Sequence, residues 1–207
     1  MSKRTVLAAG LTVVALGATT LWSVEAGAKK DKAAARTTLR DASGEEVGKV
    51  WLYNGVGGRT LVRVRFAADA AGTATSAFHG FHVHANDTGA ENGCVANATN
   101  PSTSWFTATD GHWNVGGVGH GAHKGDLPSI YATGDGKGPV EMWFQTDKFT
   151  PAEAVGRAVI VHDGPDNFGN VPVGAATNQY TANSSAAATL TAGTGNAGVR
   201  IACGVIE

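Results

Sequence analysis

The sequence predicts an all-β fold, a sandwich or barrel of short strands carrying two long functional loops. Three observations predict it. Apolar residues alternate with period two in short runs. Glycine, 29 of the 207 residues, falls in small clusters between those runs. No long segment beyond residue 36 has a helical period. An opening strand is expected near residues 37–40. Residues 47–53 alternate up to the turn signal Asn54-Gly55, and residues 61–66 set apolar side chains against Arg63 and Arg65. Further strands are expected at 78–85, 130–133, 140–146, 158–162 and 198–206, making eight. Thr150-Pro151-Ala152-Glu153 reads as a single helical turn, with Thr150 as its cap and Pro151 at its first position. A patch of Ser, Ala and Thr from 184 to 192 reads as a surface loop. Residues 86–127 and 163–196 resist strand assignment, and loops of that length inside a compact domain tend to be functional.

The front of the chain reads as an export signal. Lys3 and Arg4 precede an apolar run from Thr5 to Val24. Ala26-Gly27-Ala28 then offers a small-residue cleavage pattern before the charged run Lys29-Lys30-Asp31-Lys32. The alternative is an uncleaved anchor, since the run is close to bilayer-spanning length. No cysteine follows it to carry a lipid. Residues 1–28 are therefore expected to be a signal peptide, 29–36 a flexible lead-in and 37–207 one domain. The protein would be exported: extracellular, periplasmic or associated with a cell wall. Removing Lys3, Arg4 and Glu25 from 16 basic and 17 acidic residues leaves a net charge of about −2. A nucleic-acid partner, which would need a basic face, is not expected; nor is a stable membrane partner. Two cysteines, Cys94 and Cys203, lie 109 residues apart. Export favours pairing them, and two separate buried thiols are the alternative.

The histidines carry the chemistry. Six of the seven fall between residues 79 and 123. His82-Val83-His84 places two imidazoles on one face of a strand, with Phe81 and Val83 on the other. His112, His120, His123 and Asp126 follow in a loop otherwise rich in Gly, Val and Ala. Three imidazoles and one carboxylate suit tetrahedral zinc; the alternative, a solvated polar loop, leaves so many histidines unexplained. His162 ends the apolar run 158–161. Together with His82, His84 and one loop histidine it would complete an all-imidazole set of the kind copper accepts.

These residues resemble the Cu/Zn superoxide dismutase family. The likeness lies in Phe78-His79-Gly80-Phe81-His82-Val83-His84, Gly111-His112-Trp113-Asn114, His123-Lys124-Gly125-Asp126-Leu127, Val159-Ile160-Val161-His162-Asp163 and Thr194-Gly195-Asn196-Ala197-Gly198-Val199-Arg200-Ile201-Ala202-Cys203-Gly204-Val205-Ile206. It spans roughly residues 37 to 207. The resemblance implies an eight-stranded Greek-key β-barrel. It implies copper held by His82, His84, His112 and His162, and zinc held by His112, His120, His123 and Asp126, with His112 bridging. It further implies a Cys94–Cys203 disulfide, an anion-guiding Arg200, and Asp166 as a carboxylate linking a copper ligand to a zinc ligand. His79 would be a core hydrogen-bonder rather than a ligand.

By the same resemblance the reaction is dismutation of superoxide to oxygen and hydrogen peroxide, with Cu(II)/Cu(I) cycling and with His112 and Arg200 as the catalytic residues. The chain would act as a monomer or homodimer on superoxide outside the cell. Departures from the family are visible. The His120–His123 spacing is short, which makes zinc the less secure metal. Ala85 replaces an acidic residue, and the loop 163–196 is nearly uncharged, so steering of the anion should be weak. The competing readings are a non-catalytic copper/zinc-binding module of the same fold and a purely structural β-sandwich.

Overall fold

The computed structural model describes residues 32–67, 77–88, 93–133, 138–169 and 185–207. The expected signal peptide, 1–28, lies outside the described residues. Among the described residues nine strands follow in order: β1 (Ala35–Arg40), β2 (Glu46–Asn54), β3 (Thr60–Phe66), β4 (Ala77–His79), β5 (Phe81–His84), β6 (Ile130–Ala132), β7 (Val140–Thr146), β8 (Ala158–His162) and β9 (Arg200–Val205). β1 begins two residues inside the stretch expected to be a loose lead-in. Its start is fixed by the far end of the chain, since the Arg36 and Glu207 backbones each donate to the other at 2.9 Å.

Seven strands form one antiparallel sheet in the order β5-β8-β9-β1-β2-β3-β7, and β4 pairs with β6. The jumps from β3 to β4 and from β7 to β8 give the order its Greek-key character. The single strand expected over 78–85 is two strands broken at Gly80. β4 turns to β6 while β5 turns to β8. Glycine is needed there because a Cβ would stand 2.6 Å from the Ala197 Cβ. The sheet curls until its ends meet: Phe81 of β5 packs edge-on against Phe144 of β7, ring centroids 6.3 Å apart.

Period two decides what goes inside. On β3, Val62, Val64 and Phe66 are buried while Arg63 and Arg65 face outward. Leu39, Val50, Leu52, Phe81, Val83, Val159, Val161 and Ile201 join them in one core. β8 is buried along its whole length, which explains its unbroken apolar run. Its second face carries Ile160, which packs with Phe106 and Cys203 under the loop before residue 110. The Cys94–Cys203 disulfide, Cα–Cα 5.4 Å, ties that loop to β9.

The short helix α1 (Pro151–Ala154) forms as expected. Thr150 and Glu153 close a capping box around it. α2 (Ser185–Thr194) stands where a loop was expected. Alanine and leucine favour helix without giving it an apolar stripe, so periodicity could not announce it. Gly195, at φ 61°, ends it, and the Gly195 and Asn196 N–H groups donate to the Thr191 and Leu190 carbonyls.

A disulfide closing a loop of 109 residues contributes about 4 to 5 kcal/mol on the chain-entropy account. Replacing both cysteines by serine should lower the guanidinium unfolding midpoint accordingly. Equal midpoints for the two proteins would show that the bridge contributes nothing.

Candidate metal centre

Alternation on β5 turns His82 and His84 away from the core that Phe81 and Val83 enter. The long loop is then laced along the edge of β5. The Val83 N–H donates to the Gly125 carbonyl at 2.8 Å, the Trp113 N–H to the Val83 carbonyl at 2.9 Å, and the Gly125 N–H to the Trp113 carbonyl at 2.9 Å. His112 thereby lies beside His84, and Asp126 beside His82. A Cβ on Gly125 would run into the Val83 carbonyl, so only glycine lets the loop come this close.

The Nδ1 or Nε2 donors of His82, His84, His112 and His162 all lie within 4.8 Å of one another. Each ring is buried and each is held by its other nitrogen. His82 Nε2 meets Asp166 Oδ2 at 2.6 Å, His84 Nδ1 meets the Asp110 carbonyl at 2.8 Å, and His162 Nδ1 meets the Gly198 carbonyl at 3.0 Å. Carbonyl acceptors fix the proton on Nδ1 of His84 and His162 and leave a lone pair on Nε2. The inward nitrogens, His82 Nδ1 and Nε2 of His84, His112 and His162, are buried without any hydrogen-bond partner. Converging orphaned nitrogens are costly unless something binds them. Burial holds His84 and His162 well below the usual imidazole range, and lowers His82 despite Asp166. Neutral imidazole is the form in which histidine binds a metal.

A second cluster shares His112. His112 Nδ1 lies 2.8 Å from Asp126 Oδ1; His120 Nδ1 and His123 Nδ1 lie 3.3 and 3.2 Å from the same oxygen; and His123 Nδ1 is 3.4 Å from His112 Nδ1. Ligands about 2.0 to 2.1 Å from a tetrahedral zinc stand about 3.3 Å apart, so these spacings fit that ion. The other Asp126 oxygen accepts from the Gly121 and His123 N–H groups at 2.7 and 2.9 Å. Burial lowers His112 to about 4, with its histidine neighbours adding to the effect. Burial opposes charge on His120 too, but Asp126 and Asp166 outweigh it and hold His120 up at about 9. Burial opposes charge on both carboxylates, but His112 and His120 pull Asp126, and His120 and His82 pull Asp166, well below the usual range.

Asp166 spans the clusters, with His120 Nε2 at 2.7 Å from its Oδ1. The structure thus brings every histidine and carboxylate singled out in the sequence into one buried assembly, His79 apart. His79 sits behind it, its Nδ1 2.8 Å from the His162 carbonyl. The short His120–His123 spacing is accommodated by Gly121 at φ 91°. Lys148 braces that loop, donating to the Gly121 and His123 carbonyls at 3.1 and 2.9 Å. Nothing in the sequence flagged Lys148, which lies 25 residues from His123 with no motif around it.

Arg200, at the start of β9, is half-buried beside His162. Its Nη1 donates to the Phe106 carbonyl at 2.5 Å and to Thr109 Oγ1 at 3.0 Å, and its Nη2 to the Asp110 carbonyl at 2.6 Å. All three acceptors are neutral. A groove of about 370 Å³, rimmed by Trp105, Leu190, Thr194, Asn196 and Val199, opens onto it. Arg200 is the only charged group lining this groove among the described residues.

Residues 47–206 match the copper/zinc superoxide dismutase (SODC) family. The chain is 35% identical over 146 residues to a Cu-Zn superoxide dismutase of Mycolicibacterium paratuberculosis and 34% identical over the same length to one of Mycobacterium tuberculosis. In each case 69% of this chain is covered. It spans 62% and 58% of the length of those relatives. Among solved structures, a SOD-like protein from Bacillus subtilis (TM-score 0.54, 21% identity, 82% of this chain and 95% of that one) has the same fold. So has the clock protein EA4 (TM-score 0.53, 22% identity, 84% and 92%). Copper and zinc suit the two clusters, one all-imidazole and the other three imidazoles with a carboxylate. The chain belongs to the copper/zinc superoxide dismutase family.

Proposed function

We propose that the protein is an exported superoxide dismutase, with copper held by His82, His84, His112 and His162 and zinc by His112, His120, His123 and Asp126. The observation that carries this reading is the sharing of His112 between the two clusters, beside an arginine whose acceptors are all neutral. A module that merely stored metal would need neither feature. Export rests on the reading of residues 1–28 and is supported by the disulfide, which persists in oxidising compartments.

Copper in the first cluster would supply reversible one-electron chemistry, by which two superoxide anions and two protons become oxygen and hydrogen peroxide. The chain does the rest. Arg200 stays protonated at any working pH. Because its hydrogen bonds end on two carbonyls and a hydroxyl, its charge is left for an arriving anion. His112 is assigned to hold and release a proton at Nε2, the nitrogen that faces the other three rings. Asp166 is assigned as the carboxylate that orients His82 and His120. By accepting from Nε2 of each, it turns their Nδ1 atoms toward their respective clusters. Burial of the four rings keeps bulk water from competing for these positions.

The decisive experiment is elemental analysis of the purified protein together with a superoxide-consumption assay before and after copper withdrawal. One copper and one zinc per chain are expected, with activity lost when copper is removed and regained when it returns. Full metal content without activity would favour the binding module. Arg200→Ala should cut kcat/KM about tenfold or more at unchanged metal content. Since the groove carries no other charge among the described residues, the rate should fall only shallowly as ionic strength rises. A steep fall would show that steering charges act from elsewhere. Asp166→Asn should weaken metal retention about 10- to 100-fold, measured by competition with a chromogenic chelator. Retention equal to wild type would remove Asp166 from the assembly.

A further inference from the structure

Asp110 stands two residues before the shared His112 in a backbone conformation, φ 63° and ψ −160°, that is close to reserved for glycine. The strain lies at a peptide with a double duty. The Asp110 carbonyl accepts from His84 Nδ1 at 2.8 Å and from Arg200 Nη2 at 2.6 Å. One oxygen therefore holds both a ring of the first cluster and the guanidinium that lines the groove. A glycine here would adopt the same angles without penalty, but its peptide would be held through backbone contacts alone, with no side-chain anchor.

Aspartate adds a handle. Its Oδ2 accepts from the Asp87 and Thr88 N–H groups at 2.9 and 3.0 Å, and its Oδ1 accepts from the Thr88 hydroxyl. The segment that makes these bonds is itself fixed. Ala85 and Asn86 donate to the Gly111 and Thr109 carbonyls at 2.9 and 3.0 Å, and Arg157 Nη1 grips the Ala85 carbonyl and Asp87 Oδ2 at 2.5 and 2.7 Å. These donors occupy the Asp110 carboxylate, which acts on Arg200 through its charge and not through a hydrogen bond of its own.

We propose that Asp110 is a positioning residue. Its carboxylate, pinned by residues 87 and 88, locks the 110–111 peptide so that a single carbonyl places His84 and Arg200 relative to each other. The inference rests on the copper site proposed above and extends it to a residue that touches neither metal nor substrate. Asp110→Gly relieves the backbone strain and deletes the handle. Asp110→Asn keeps both an acceptor oxygen and a residue type that tolerates positive φ.

The test is an azide titration of the copper-loaded protein, followed by its visible charge-transfer band and by electron paramagnetic resonance at matched copper content. Azide is a small monoanion that reads Arg200, while the resonance spectrum reads the orientation of His84. Asp110→Gly should bind azide about fivefold more weakly and show an altered copper spectrum, with Asp110→Asn staying nearer to wild type. Should Asp110→Gly fail to fold, Thr88→Val removes the hydroxyl donor at an exposed position and should move both readouts in the same direction, by less. Wild-type azide affinity and spectrum in the glycine variant, or in the valine variant if that is the one measured, would overturn the positioning role. An absence of any azide-dependent change in the wild-type protein would instead overturn the copper assignment, and this inference with it.

Discussion

Everything at the metal centre depends on the backbone contact between β5 and the loop that follows it. The Val83 N–H donates to the Gly125 carbonyl, the Val83 carbonyl accepts from the Trp113 N–H, and the Gly125 N–H donates to the Trp113 carbonyl. Three backbone residues thus act as a small extra ladder whose flanking residues are His82, His84, His112 and Asp126. The contact that brings these donor side chains together is made by backbone atoms. What is needed is a glycine at 125, because any Cβ there would collide with the Val83 carbonyl. A constraint of this kind is steep, since backbone atoms cannot move aside as a flexible side chain can.

The loop is also held from its far side. The Trp113 ring carries both the Lys124 ammonium and the Arg157 guanidinium, 4.6 and 4.9 Å from its centroid, and packs against Phe149. Lys124 pairs with Glu153, which is already engaged in the capping box of α1. The residue next to the shared histidine is therefore anchored to the core, to α1 and to the start of β8. Such pairs are individually worth little at an exposed surface. Their role here is geometric, because each fixes a different direction of loop movement.

Strands were legible in the sequence wherever one face is wet. Residues 61–66 alternate because Arg63 and Arg65 are outside, and their register with β7 follows from the same pattern. β8 gave only a plain apolar run, since the 93–109 loop covers its second face. The break at Gly80 was not legible, because both halves alternate in phase and only the switch of partner from β6 to β8 separates them. Among the site residues, the histidines and Asp126 stood out through spacing on a strand or within one loop. Lys148 and the Asp110 carbonyl did not. One acts through a flexible side chain far away in sequence, and the other through a backbone atom that carries no residue signature.

The shared ring at His112 makes the centre unequal in what it can lose. Dropping His120 or His123 takes one donor from one cluster and leaves the four imidazoles around β5 and β8 intact. Dropping His112 takes a donor from both at once, and dropping Asp166 loosens a ring in each. Substitutions could therefore accumulate in the outer turn of the loop, between residues 119 and 123, while the inner cluster kept its shape. The tolerance of this protein to sequence drift is graded by how many rings each residue serves, more than by distance from the groove.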